Sequence, residues 1–328
     1  MIMKNRILSG MRPTGPLHLG HILGALDNWV KLQDKYDCFF MIADWHAMMS
    51  EYEDPVNVSR YVLECVADWL ACGIDPEKST VFIQSHVKEH LELFMAFSNF
   101  TPLGWLERCP TYKEQLREIK TRELHTYAFL GYPVLQAADI LIYKADTVPV
   151  GKDQVPHIEL TNNIAEKFNS LYGNIFPSVK PLLTKMPKLL GIDGRKMSKS
   201  YDNFIALGDT EERIKTKCAG MFTDPLRIKL TDKGHPDKCN VYAYYSLFKK
   251  EYAEDVYEYC IKAKVGCTEC KKNLGKVLSD YLADIRHKRE VLLKDKAKIH
   301  SILEKGAEKA RKVASETMTE VKKAIGLL

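Results

Sequence analysis

Short apolar runs at Arg6–Met11, Cys38–Ala43 and Thr80–Gln84, and a fourth ending at Val148–Gly151, alternate with helical stretches. The helices are predicted from near Gly20 through Val30, over Asn57–Ala71 and over Asp153–Asn169. Strand, helix, strand in repetition has few solutions, because parallel strands need a crossover connection that covers a sheet face. The expected fold is therefore α/β: a Rossmann-type parallel sheet, with ligands held at the carboxyl ends of its strands. The loop Arg12-Pro13-Thr14-Gly15-Pro16 and the turn after Val150 fall at those ends.

Past about Asp209 the strand signal fades, and charged helical periodicity takes over, as at Leu274–Ala283 and Ile302–Ile325. Three regions follow: a catalytic domain over 1–190, a Gly-, Asp- and Lys-rich joint over 191–208, and an α-helical domain over 209–328. With 328 residues and 45% hydrophobic content, the chain can bury a core in about two domains. Its 48 basic and 43 acidic residues leave a net charge of +5, too mild to require a nucleic-acid partner by itself. Lysine and arginine concentrate from Lys262 onward, a pattern that suits a surface facing phosphates and equally a solvated helical face. Neither a signal peptide nor an uncharged membrane-length run is legible, so the expected location is the cytoplasm.

Two segments carry phosphate chemistry. His18-Leu19-Gly20-His21 opens a helix, whose first N–H groups and positive dipole end attract anions. His18 and His21 can donate to phosphate oxygens, and Gly20 lets adenine lie against the backbone. Lys196-Met197-Ser198-Lys199-Ser200 sits in a loop, where Lys196 and Lys199 can swing onto a leaving pyrophosphate as mobile charges. Together they read as two parts of an ATP site that activates a carboxylate, a reaction catalysed mainly by positioning and charge stabilisation. Gly151-Lys152-Asp153-Gln154 is a weaker third element: Asp153 can take ribose hydroxyls and Gln154 an amino-acid substrate, while Asp153 is also an ordinary N-cap.

These segments resemble the class I aminoacyl-tRNA synthetases, whose signatures are called HIGH and KMSKS. Ser9-Gly10-Met11-Arg12-Pro13-Thr14-Gly15, Gly24–Trp29, Gln136–Leu141 and Val148–Gln154 make the chain similar to the bacterial tryptophanyl-tRNA synthetases, from residue 6 to beyond residue 320. The resemblance implies a Rossmann-type catalytic domain, a helical anticodon-binding domain, a homodimer, and ATP, L-tryptophan and tRNA(Trp) as substrates. No membrane or DNA partner is expected. It further implies that Arg12, Pro13, Thr14, Gly20 and His21 line the ATP site. Gly151, Lys152 and Asp153 would hold its ribose side, Met186 would face adenine, and Lys196, Met197, Ser198, Lys199 and Ser200 would close on the phosphates. Magnesium would enter with ATP. Relatives often carry a second lysine near Lys113 that this chain lacks, so Lys113 receives no role.

Tyr132, Gln136, Asp139 and Tyr143 are spaced along one face of a largely apolar helix. A buried Asp139 needs a donor, and indole offers only an N–H. A neighbouring backbone group could satisfy it instead, and a phenol could donate equally well, which keeps a tyrosyl-tRNA synthetase as the closest rival. Tyr132, Gln136, Asp139, Gln154 and His46 are thus the expected tryptophan-binding set, although His46 also reads as an ordinary strand-end histidine. A nucleotidyltransferase of related fold and a non-catalytic tRNA-binding protein are the remaining alternatives; the intact signatures count against both.

Nine cysteines in a reducing compartment argue against disulfides. Cys239, Cys260, Cys267 and Cys270 form a C-x20-C-x6-C-x2-C pattern, a sulfur set suited to zinc or a 4Fe-4S cluster, or else four buried thiols. The resemblance points to the 4Fe-4S subgroup of the family, whose first spacing is two residues longer.

Overall fold

The computed structural model describes residues 5–118, 123–183, 189–195, 197 and 201–328. Its sheet has five parallel strands: β1 (Arg6–Met11), β2 (Asp37–Ile42), β3 (Ser79–Ile83), β4 (Thr147–Val150) and β5 (Lys180–Leu183), in the order β3-β2-β1-β4-β5. The first four fall where the apolar runs predict them. The fifth is short and mostly exposed, with none of the continuous apolar character that marks a buried parallel strand. It pairs in register with β4, Thr147 opposite Lys180 through Val150 opposite Leu183.

By internal contacts the chain forms two compact units: Met1–Gly15, Ala25–Met186 and Asp295–Leu328 make one; Pro16–Gly24 and Pro187–Lys294 make the other. The first contains the sheet. Trp29 stacks on Phe40 with ring centroids 4.6 Å apart and meets Trp69 edge-on at 5.0 Å, packing the crossover helices against β2. The helix Tyr127–Ile142 is buried along most of its length, which its continuous apolar sequence foretells. The segment 209–328 is split by its contacts: 209–294 belongs to the second unit, whereas the helix Lys296–Ala324 lies with the sheet-bearing unit. That helix buries Gly306, Ala307, Ala310 and Ala314, small enough to let it approach β3 closely.

The approach is tightest at Gly306. A Cβ there would sit 1.8 Å from the Val81 carbonyl oxygen, so helix or strand backbone would have to move. Gly306→Ala is therefore expected to destabilise the protein by about 3 kcal/mol, outweighing the roughly 1 kcal/mol that alanine gains in helix propensity. Urea unfolding measures it; an alanine variant as stable as the parent would contradict this packing.

In the second unit, the helices Glu211–Ala219, Asn240–Phe248, Lys250–Ile261 and Cys267–Lys294 pack together. The helical periodicity at Leu274–Ala283 proves to be part of one 28-residue helix. Among the described residues no helix is long and apolar enough to cross a membrane.

Candidate active site

The expected site residues fall in both units. In the second, Leu19–His21 is a single helical turn continued by a π-helical stretch, Ile22–Leu26, rather than the regular helix that its sequence suggests. The Gly20 N–H donates to His18 Nδ1 (3.2 Å), and the His18 N–H donates to His21 Nδ1 (3.1 Å). Each histidine thus uses Nδ1 as an acceptor, which places the proton on Nε2 in both rings. The two ring centroids are 3.9 Å apart, with the ring planes tilted by 52°.

That turn is stitched to residues 204–207. His18 bridges Ala206, Leu19 N–H donates to the Ile205 carbonyl (3.1 Å), and Leu207 N–H to that of Leu17 (2.9 Å). Phe204 packs on the His18 ring at 5.2 Å. A side chain at position 20 would press on the His18 ring at 3.0 Å, with Met197 Sδ only 3.5 Å away. The first signature therefore meets the second at Met197. Lys196, Ser198, Lys199, Ser200 and Met186 lie outside the described residues.

In the sheet-bearing unit, the polar centre is Asp139, buried within its helix. Its Oδ1 accepts from Gln84 Nε2 (2.7 Å) and His90 Nδ1 (2.6 Å), and its Oδ2 meets His46 Nε2 (2.7 Å). Burial pushes the carboxyl up, but the hydrogen bonds of His46 and His90 outweigh it and hold Asp139 below the usual carboxylate range. It is an ionised acceptor. Three side chains, rather than one backbone group, satisfy it, and His46 is drawn into the set instead of being an isolated strand-end residue.

Gln84 and His90 were not legible as site residues, although one signal existed. Gln84 is the polar end of the third apolar run, at the carboxyl end of β3, where ligands gather. His90 follows six residues later, in the first turn of the helix Glu89–Ser98.

Tyr132, on the same helix as Asp139, faces different company. Its hydroxyl lies 2.9 Å from His157 Nε2, with Cys109 Sγ 3.6 Å from the same nitrogen. Burial, then Cys109, raises the phenol, while Arg12 acts the other way. Gln136 is half-buried one turn before Asp139. Gly151 ends β4, and Lys152–Gln154 form one 3-10 turn in which the Gln154 amide donates to Asp153 Oδ2 (2.9 Å). No side-chain cap is made at the start of the next helix, so Asp153 does not serve as its N-cap and stays exposed with Lys152. Pro13 is buried after β1, and the Thr14 N–H turns back onto the Arg12 carbonyl (2.9 Å).

Burial holds His157 down to about 4. An unfolded histidine titrates near about 6.5, so the unfolded chain binds the extra proton between those values. Stability should fall as pH drops from about 6.5 to about 4, by about 3 kcal/mol in all, with no contribution above that window. Urea unfolding at neutral and acid pH should show this slope in the parent and lose it in His157→Gln.

The four clustered cysteines lie in the second unit. Cys239 precedes the helix Asn240–Phe248, Cys260 ends the helix Lys250–Ile261, and Cys267 and Cys270 open the helix Cys267–Lys294. The thiols are close enough to act on one another electrostatically: burial, then Cys239, Cys260 and Cys267, push Cys270 up to about 12, and Arg227 opposes them. Arg227 Nη1 reaches Cys267 Sγ at 4.0 Å. No group of three or more Cys, His, Asp or Glu among the described residues stands in metal-binding geometry.

A five-stranded parallel sheet, with a paired-histidine turn that meets the second signature at Met197, belongs to the Rossmann-like class I synthetase fold. The family model of class I tRNA synthetases for tryptophan and tyrosine matches residues 3–283. The tryptophan–tRNA ligase of Thermotoga maritima is 49% identical over 98% of this chain and 99% of its own length. That of Aquifex aeolicus is 42% identical over 98% and 100%. Among solved structures, tryptophanyl-tRNA synthetase from Campylobacter jejuni, complexed with ADP and tryptophan, superposes with a TM-score of 0.91 at 36% identity, covering 98% of this chain and all of that one. The chain belongs to the class I tRNA synthetases of the tryptophan and tyrosine family.

Proposed function

We propose that this chain is a tryptophan–tRNA ligase. It joins ATP and L-tryptophan to Trp-AMP with release of pyrophosphate, then passes tryptophan to the 3′ end of tRNA(Trp). The near full-length similarity to tryptophan–tRNA ligases carries this reading over its tyrosyl rival. ATP brings Mg2+ bridging its phosphates, as the membership of an ATP-dependent synthetase family supports.

In the first step a tryptophan carboxylate oxygen attacks the α-phosphorus and the bond to pyrophosphate breaks. His18 and His21 donate from Nε2 to the phosphate oxygens, and Lys196 and Lys199 neutralise the departing pyrophosphate. Arg12, Pro13, Thr14, Gly20, Met186, Met197, Ser198 and Ser200 line the nucleotide, with Gly151, Lys152 and Asp153 at the ribose. Asp139 accepts the indole N–H, and Tyr132, Gln136, Gln154 and His46 complete the amino-acid pocket. The helical region 209–328 reads the anticodon arm, the enzyme works as a homodimer, and its location is the cytoplasm. Aminoacylation of a tRNA(Trp) transcript tests the whole reading: charging with tryptophan supports it, and charging of a tRNA(Tyr) transcript with tyrosine would replace it.

Cys239, Cys260, Cys267 and Cys270 are the residues that would hold a 4Fe-4S cluster, with Zn2+ as the alternative. Burial and the neighbouring thiols push Cys260 and Cys270 up, so a positive centre would have to displace their protons, and soft sulfur donors suit either occupant. When bound, the group cross-links three helices and supplies no chemistry to the reaction. Iron and sulfide in equal amounts in anaerobically purified protein would identify the cluster. Cys267→Ser is expected to lose the metal and weaken tRNA binding; a variant keeping both would contradict the assignment.

A further inference from the structure

Asp139 has about four lone-pair positions, and protein donors already occupy three of them. Oδ1 takes two bonds, from Gln84 and His90, and is filled; Oδ2 takes one, from His46. Among the described residues, the acceptor position without a protein donor is therefore on Oδ2.

The direction of the bond from His90 is fixed as well. His90 is fully buried, and its Nδ1 faces an ionised carboxylate, so Nδ1 carries a proton. Its Nε2 lies 2.7 Å from the hydroxyl of Tyr143, which is also fully buried. Among the described residues that hydroxyl has no second hydrogen-bond partner. Were Nε2 protonated too, the Tyr143 O–H would be left without an acceptor, a costly state in the core. Tyr143 therefore donates to His90 Nε2, and His90 donates from Nδ1 to Asp139 Oδ1. Phe82 and Phe39 clamp the two rings from the sides, at 6.1 Å from His90 and 4.7 Å from Tyr143. Tyr143 is fixed in turn by its backbone, whose carbonyl accepts from Arg6 Nη1 (2.6 Å).

We propose that His90, oriented by Tyr143, is a positioning residue for amino-acid specificity: it fills Oδ1 of Asp139 and so aims the one open acceptor, on Oδ2, at the indole N–H. This rests on the assignment of Asp139 to the tryptophan pocket. Loss of His90 would leave two open acceptors and a carboxylate free to turn, so the penalty for a ligand without an N–H would shrink.

The test uses the full-length protein and two amino acids of nearly the same shape, tryptophan and β-(benzothiophen-3-yl)alanine, in which sulfur replaces the N–H. The readout is the ratio of their kcat/KM values in ATP–pyrophosphate exchange. The parent should prefer tryptophan by about 10³-fold or more. His90→Leu should cut that ratio by about tenfold or more, and His90→Asn, which keeps a donor near the Nδ1 position, should restore most of it. Tyr143→Phe deletes one oxygen and should lower the ratio by about threefold, which carries the test if His90→Leu does not fold. An unchanged ratio in His90→Leu or Tyr143→Phe, with the parent still selective, would overturn the positioning role alone. A parent that does not discriminate would instead overturn the Asp139 assignment beneath it.

Discussion

Asp139→Ala is expected to lower kcat/KM for tryptophan in the activation step by about 10⁴-fold, the scale for sites built around a substrate hydrogen bond. Two losses combine. The indole N–H enters a dry site with no acceptor, and Gln84, His90 and His46 lose the carboxylate that holds them. The second loss also affects folding, because His90 is fully buried and its donor would be orphaned. Asp139→Asn separates the two, since it keeps one acceptor oxygen but turns the other atom into a donor that opposes a protein donor. Steady-state exchange kinetics with ATP saturating measures the effect. A KM for ATP that changes as much as that for tryptophan would place Asp139 outside the amino-acid pocket.

His21→Ala is expected to reduce kcat of activation by about 10²–10³-fold, as removal of one preorganised donor to a developing charge does. The KM for tryptophan should stay within about threefold, because a bond that strengthens at the transition state leaves ground-state binding largely alone. The structure fixes the tautomer of His21: its Nδ1 accepts from the His18 backbone N–H, so the ring proton is on Nε2. Removing it also opens half of the reciprocal cap on the turn, a stability cost of about 1 kcal/mol that thermal unfolding would register separately. A loss confined to the KM for tryptophan would contradict the assigned role.

What could be read from residues alone follows from how local each signal is. The first four strands are continuous apolar runs bounded by turn residues, and a parallel sheet buried on both faces demands that pattern. β5 lacks it because it is mostly exposed and defined only by its pairing to β4, whereas the other edge strand, β3, is fully buried. The helix Tyr127–Ile142 and the place of Asp139 on it were legible because a carboxylate within an apolar helix needs an explanation. The partners of that carboxylate were not. Gln84, His90 and His46 come from three separate elements, and nothing in their local spacing reports that the sheet gathers them. The π-helical start of the segment after His21 was also hidden, since Ile22–Leu26 has ordinary helical composition. The second unit includes Pro16–Gly24, far from its other residues in sequence, because Leu17–Leu19 pairs with Ile205–Leu207 through long-range backbone bonds.

The central claim is that this chain activates tryptophan with ATP, and amino-acid-dependent ATP–pyrophosphate exchange tests it most directly. Purified full-length protein is assayed with each of the twenty standard amino acids. Exchange with tryptophan alone is the predicted result. Exchange with tyrosine in its place, or with none of the twenty in folded protein, would contradict it.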